Sequence, residues 1–159
     1  MKRSFLAVFL TGCTTVQVPA NLQPANESLA QVVPAKGVQI YECRDAKWVF
    51  VAPEADLFDR HGKKIGTHYA GPHWEAADGS KVVGAVKARS DAPQAGAIPW
   101  LLLSTKSVAG EGAFSKVTSI QRVSTTGGVA PMGSCEAGVK ARVPYTADYY
   151  FFTHKGESK

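Results

Sequence analysis

From position 37 onward the chain breaks into short segments separated by turns rich in Gly, Asp and Pro, recurring about every 8–12 residues. That spacing constrains the fold more than any other feature, because no segment carries apolar residues at the 3.6-residue period of an amphipathic helix. GVQIYEC (37–43) alternates Val38, Ile40 and Glu42 against Gln39, Tyr41 and Cys43, the period of a strand. KWVFVA (47–52) follows a tight turn at Arg44-Asp45-Ala46, and ADLFD (55–59) and KIGTHYA (64–70) flank another at Arg60-His61-Gly62-Lys63. HWEA (73–76) and KVVGAVKAR (81–89) flank Ala77-Asp78-Gly79-Ser80, the strongest hairpin signal in the chain. IPWLLLSTKSV (98–108) reads as a strand covered on both faces, and VTSIQRV (117–123), VKARV (139–143) and ADYYFFT (147–153) complete the set. The expectation is an all-β chain, an antiparallel β-sandwich or barrel of about 8–10 short strands.

The N-terminus has a different character. Lys2 and Arg3 precede a short apolar run, Ser4 to Leu10, too short to remain across a bilayer. Residues 1–12 read as a secretory signal. Leu10-Thr11-Gly12-Cys13 resembles a bacterial lipobox, which implies cleavage before Cys13 and acylation of that cysteine. Thr14, not being Asp, implies transit to the outer membrane, with the domain facing the periplasm or the surface; plain secretion is the alternative. Residues 13–36 carry Pro19, Pro24 and Pro34 and read as a lipidated cysteine and flexible tether with few core contacts, ahead of a single β domain at 37–159.

Removing residues 1–12 takes away Lys2 and Arg3, and the formal net charge falls from +5 to +3. So small a charge, spread over scattered Lys and Arg, gives no footprint for nucleic acid. Cys43 and Cys135 are left as an even pair in an oxidising compartment, and a disulfide is expected between them.

The blocks KGVQIYEC, WVFVAPEADLFD, GTHYAGPHWEAADGSKVVG, AIPWLLL, VTSIQRV and VPYTADYYFF resemble the secreted bacterial and fungal family named domain of unknown function 3455, over about residues 30–154. The resemblance implies a compact secreted β domain and brings no activity with it. Some fungal relatives carry a malate dehydrogenase label, but this chain has no Gly-x-Gly-x-x-Gly between a strand and a helix and no βαβ pattern to support one.

The densest collection of chemically capable side chains lies in GTHYAGPHWEAADGSKVVG. With Asp78-Gly79 as the turn, Glu75 faces Val82 and His73 faces Gly84 on one side, while Trp74 faces Val83 and Ala76 faces Lys81 on the other. Gly84 then leaves space opposite His73, and the Ala70-Gly71-Pro72 bend returns His68 toward it. One reading is a metal site for copper or zinc, with His68 and His73 as ligands and Glu75 as carboxylate ligand or orienting group. A second is a binding face, His68, Tyr69, His73, Trp74 and Glu75, for a small molecule, glycan or partner. A third is architecture alone, with both histidines hydrogen-bonded to loop backbone and Glu75 meeting a Lys or Arg. Ser104, Ser107 and Ser119 lack a Gly-x-Ser-x-Gly elbow, and Tyr145, Tyr149, Tyr150, Phe151, Phe152 and Trp100 read as core. The leading expectation is a non-enzymatic envelope domain held to the membrane by lipid on Cys13. The alternatives are a metal-dependent enzyme or redox protein at His68, His73 and Glu75, and a structural envelope lipoprotein.

Overall fold

The computed structural model describes residues 15–156; Cys13 and the signal-like segment lie outside the described residues. Eight antiparallel strands close into one barrel: β1 (Glu27–Arg44), β2 (Lys47–Phe58), β3 (Lys64–Tyr69), β4 (His73–Ala76), β5 (Lys81–Ser90), β6 (Trp100–Ala109), β7 (Ser119–Gly127) and β8 (Lys140–His154). Each strand pairs with the next, and β8 returns to β1. The all-β expectation is met, and of the two architectures considered the chain forms the barrel.

The eight strands fall within the expected number, and several are longer than the segments read from the sequence. Residues 47–52 and 55–58 belong to one strand that runs through Pro53, and 140–143 and 147–153 to one that runs through Pro144. Each proline sits where its strand has a neighbour on one side only. Pro53 opposes Gln39 of β1, while the β2–β3 ladder starts at Ala55. Pro144 opposes Val38 of β1, while the β7–β8 ladder stops at Tyr145. A residue without an N–H is tolerated at such positions.

The tether expected over 13–36 needs a larger correction. Its second half, from Glu27, is the start of β1, and Val33 and Ala35 are core residues. Pro34 again has one partner strand, opposing Asp148 while the β1–β2 ladder begins at Ala35. Before β1 the chain makes a 3-10 turn at Ala20–Leu22 and lays Leu22, fully buried, onto Trp100, Leu102 and Val123. This cluster lies outside the barrel and accounts for the unbroken apolar run of β6. Leu101 and Leu103 point inward, while Trp100 and Leu102 point outward beneath the N-terminal segment.

The two ends of the barrel differ. At one end Val33, Leu57, Val82, Ile120 and Phe151 fill the interior, and Phe114 from the β6–β7 loop stacks on Phe151 at 4.6 Å. Asp78 secures this end. Its carboxylate accepts hydrogen bonds from the Ser80 amide (2.8 Å), the Ser80 hydroxyl (2.6 Å) and the Ala113 amide (2.8 Å). Ser80 Oγ in turn accepts from the Phe114 amide at 3.1 Å, which seats the ring. At the other end lie the β1–β2 and β3–β4 turns and the β5–β6 and β7–β8 loops. There the expected disulfide, Cys43–Cys135, ties the last residues of β1 to the β7–β8 loop. Tyr41 Oη supports the same loop by donating to the Gly128 carbonyl at 2.6 Å.

A candidate ligand cup at the open end

The hairpin at the centre of the sequence reading is offset by one residue. His73 pairs with Val83, Trp74 with Val82 and Glu75 with Lys81. The loop is the reason. Ala76 N–H donates to Ser80 O at 2.9 Å and Gly79 N–H to Ala76 O at 3.0 Å, so three residues, Ala77-Asp78-Gly79, make the connection, with Gly79 at φ +88°. A three-residue loop ending on a left-handed glycine shifts each pair by one from the two-residue alternative. Trp74, Val82 and Gly84 therefore share the interior face, and the space at Gly84 is taken by the Trp74 ring rather than offered to His73.

The residues expected to act together divide between two faces. His68 pairs with Trp74 inside the barrel, and Tyr69 pairs with His73 outside. The bend does bring His68 to His73, but to its backbone: His68 Nδ1 donates to the His73 carbonyl at 2.8 Å. The two imidazoles lie on opposite sides of the sheet, and among the described residues no group of three or more His, Cys, Asp or Glu side chains converges to hold a metal. The copper or zinc site at His68, His73 and Glu75 is thus not assembled in this geometry.

On the outer face, Tyr69 and His73 stack at 4.9 Å and 6°. Tyr69 Oη donates to Glu75 Oε2 at 2.5 Å, and Lys81 Nζ lies 3.2 Å from the same oxygen. The Tyr69 hydrogen bond first, then Lys81, holds the Glu75 carboxyl below its usual range. His73 Nδ1 donates to the Ala70 carbonyl. These groups satisfy one another and fasten β3, β4 and β5.

The inner face is different. A cavity of about 280 Å³ opens at the disulfide-bearing end, entered past Phe50, Val51 and Val86. Its walls include Gln39, His68, Trp74, Arg122 and Tyr149, backed by Leu101 and Leu103. The volume lies just under the roughly 300–1,000 Å³ of small-molecule sites. His68 stacks on Trp74 at 4.4 Å and lies 5.0 Å from the Tyr149 ring. Burial pushes the His68 pKa down to about 3, only partly opposed by the bond to the His73 carbonyl. The imidazole is therefore neutral with its proton on Nδ1, the only tautomer that can donate to a carbonyl. Burial raises the Tyr149 and Tyr145 hydroxyls, and the charge of Arg122 opposes it at both. Those two hydroxyls are 3.2 Å apart. Gln39 Nε2 and Trp74 Nε1 are buried without a hydrogen-bond partner among the described residues.

Of the five side chains expected to contact a ligand, His68 and Trp74 line this cup, while Tyr69, His73 and Glu75 lie behind the wall. Sequence reasoning passed over Gln39 and Arg122; Tyr149, read as core, is a core residue that also lines the cup. A signal was present in VTSIQRV, where Arg122 stands two residues from Ile120 and so shares its inward face.

Neither a curated protein nor a solved structure matches the chain. Residues 24–153 match the family described as "Protein of unknown function (DUF3455)", and it is to this family that the chain belongs.

Proposed function

We propose that this chain is an exported, lipid-anchored envelope protein that binds a small molecule in the open end of its barrel and catalyses no reaction on it. The observation that carries the reading is the cup itself, a mostly apolar cavity whose lining gathers a few polar side chains, Gln39, His68, Arg122 and Tyr149. An apolar pocket with a small number of convergent polar groups is the usual form of a small-molecule site. A small molecule fits the volume better than a glycan or a partner chain.

Export is supported by Lys2, Arg3 and the apolar run after them, by the lipobox-like Leu10-Thr11-Gly12-Cys13, and by the disulfide, which persists in an oxidising compartment. Val18 and Leu22 pack beside the β5–β6 loop, at the open end. From Cys13 to Val18 an extended chain reaches roughly 17 Å. An acyl group on Cys13 would keep the mouth of the cup close to the membrane.

Two measurements test the reading. Wild-type protein should sediment with envelope membranes and Cys13→Ser should not; a sedimenting Cys13→Ser protein removes the anchor. Native mass spectrometry of the full chain from envelope extracts should show a small-molecule adduct that Val86→Trp, which fills the mouth, abolishes. The same adduct on Val86→Trp would place binding elsewhere and overturn the cup.

A further inference from the structure

The charge balance of the cup restricts what it can hold. Arg122 rises from β7 on the inward face and is half-buried; its Nε and Nη2 both donate to the Pro99 carbonyl, at 3.1 and 2.7 Å. Among the described residues none of the ion pairs includes Arg122, and no aspartate or glutamate lines the cavity. A partly desolvated guanidinium without a carboxylate retains unused donors and an uncompensated charge. Around it Trp74 Nε1 and Gln39 Nε2 have no acceptor, and the Tyr149 hydroxyl is within the field of Arg122. His68 is neutral and supplies no second cation. The rest of the lining is apolar, with Leu101, Leu103 and Val86 around the cavity and Phe50 at the lip.

We propose that the cup takes a compact organic monoacid, with its carboxylate on Arg122 and its apolar body against Leu101, Leu103 and Val86. The inference rests on the small-molecule reading of the cup and names the ligand's chemistry. One guanidinium matches one carboxylate, and the bidentate pairing of the two is the geometry arginine recognises best. A free inorganic anion would leave the apolar wall facing water. A neutral ligand would leave Arg122 without a counter-charge.

The test titrates the full chain, purified in detergent, by calorimetry with benzoate, phenylacetate and 3-phenylpropanoate, and with the primary amide of each. At least one acid should bind at least tenfold tighter than its amide. Arg122→Gln should remove that difference while leaving amide affinity unchanged within a factor of three. Acids and amides binding equally to the wild type would overturn the anion inference and leave the small-molecule cup standing. Acid preference persisting in folded Arg122→Gln would also overturn it, because the carboxylate would then lie elsewhere. Binding of neither series at millimolar concentration would overturn the monoacid inference, while the adduct from envelope extracts decides the small-molecule cup separately. Should Arg122→Gln fail to fold, the acid–amide comparison on wild-type protein decides alone.

Discussion

The Trp74 ring rests directly against Gly84: a methyl group at Gly84 would lie 3.0 Å from Trp74 Cζ3 and 3.2 Å from Leu103 Cδ2. Glycine is required there by packing rather than by backbone conformation. Gly84→Ala should lower stability by about 1–2 kcal/mol and Gly84→Val by more, as expected for an overpacked interior. The check is the denaturation midpoint at unchanged slope. An unaltered midpoint in Gly84→Val would show that the Trp74 ring is free to move.

His68 should make stability depend on pH just below neutrality. Its folded pKa of about 3 lies below its unfolded value of 6.5, so the unfolded chain binds the proton first and stability declines as pH falls below about 6.5. Between pH 7 and pH 5 the loss should be about 2 kcal/mol, since a full proton difference is worth about 1.4 kcal/mol per pH unit. His68→Gln should flatten this part of the curve. An equal slope in both proteins would mean that His68 is not buried and neutral.

Phe114 seals the end away from the cup. Phe114→Ala should cost about 3–5 kcal/mol through the cavity it leaves against Phe151. Ligand affinity should stay within about threefold, because distant sites act nearly independently. A large loss of affinity in a protein that remains folded would show that the two ends are coupled.

Replacing Cys43 and Cys135 together with serine should cost about 4.6 kcal/mol on the chain-entropy account, given the sequence separation of 92 residues. The β7–β8 loop should lose protection first. Hydrogen exchange should quicken at Gly138 and Val139, whose backbone bonds lie beside the disulfide, by local opening, in addition to the global loss that core amides such as Ile120 and Phe151 share. Unchanged exchange at Gly138 and Val139 relative to the core would mean that the bridge does not hold the loop locally.

The strands were legible because their alternation is local. Val38 and Gln39 fall on opposite faces whatever the rest of the chain does. Lengths were less so: Pro34, Pro53 and Pro144 read as breaks, and only the pairing of β1 with both β2 and β8 shows that each has a free side to occupy. The one-residue offset of the β4–β5 hairpin came from the loop, whose Asp78 and Gly79 fit two-residue and three-residue turns alike. The site was hardest to read. His68 and His73 are five positions apart, yet odd and even places around a bend put one ring inside and the other outside. Arg122 and Gln39 approach each other only when the barrel closes, which no local pattern encodes.

β1 outruns its neighbour. Over Glu27–Pro34 it has β8 on one side and no strand on the other, with Leu29 and Val32 exposed along that stretch. Self-association by strand addition could begin along such a one-sided stretch more readily than at walls paired on both sides. Three features oppose it. The β1–β8 register breaks between Leu29 and Gln31, Pro34 interrupts the row of donors, and the Gln31 side chain donates to the Ala113 carbonyl at 3.0 Å, bringing the β6–β7 loop alongside. The exposed edge of β1 is thereby less prone to join a second copy into fibrils.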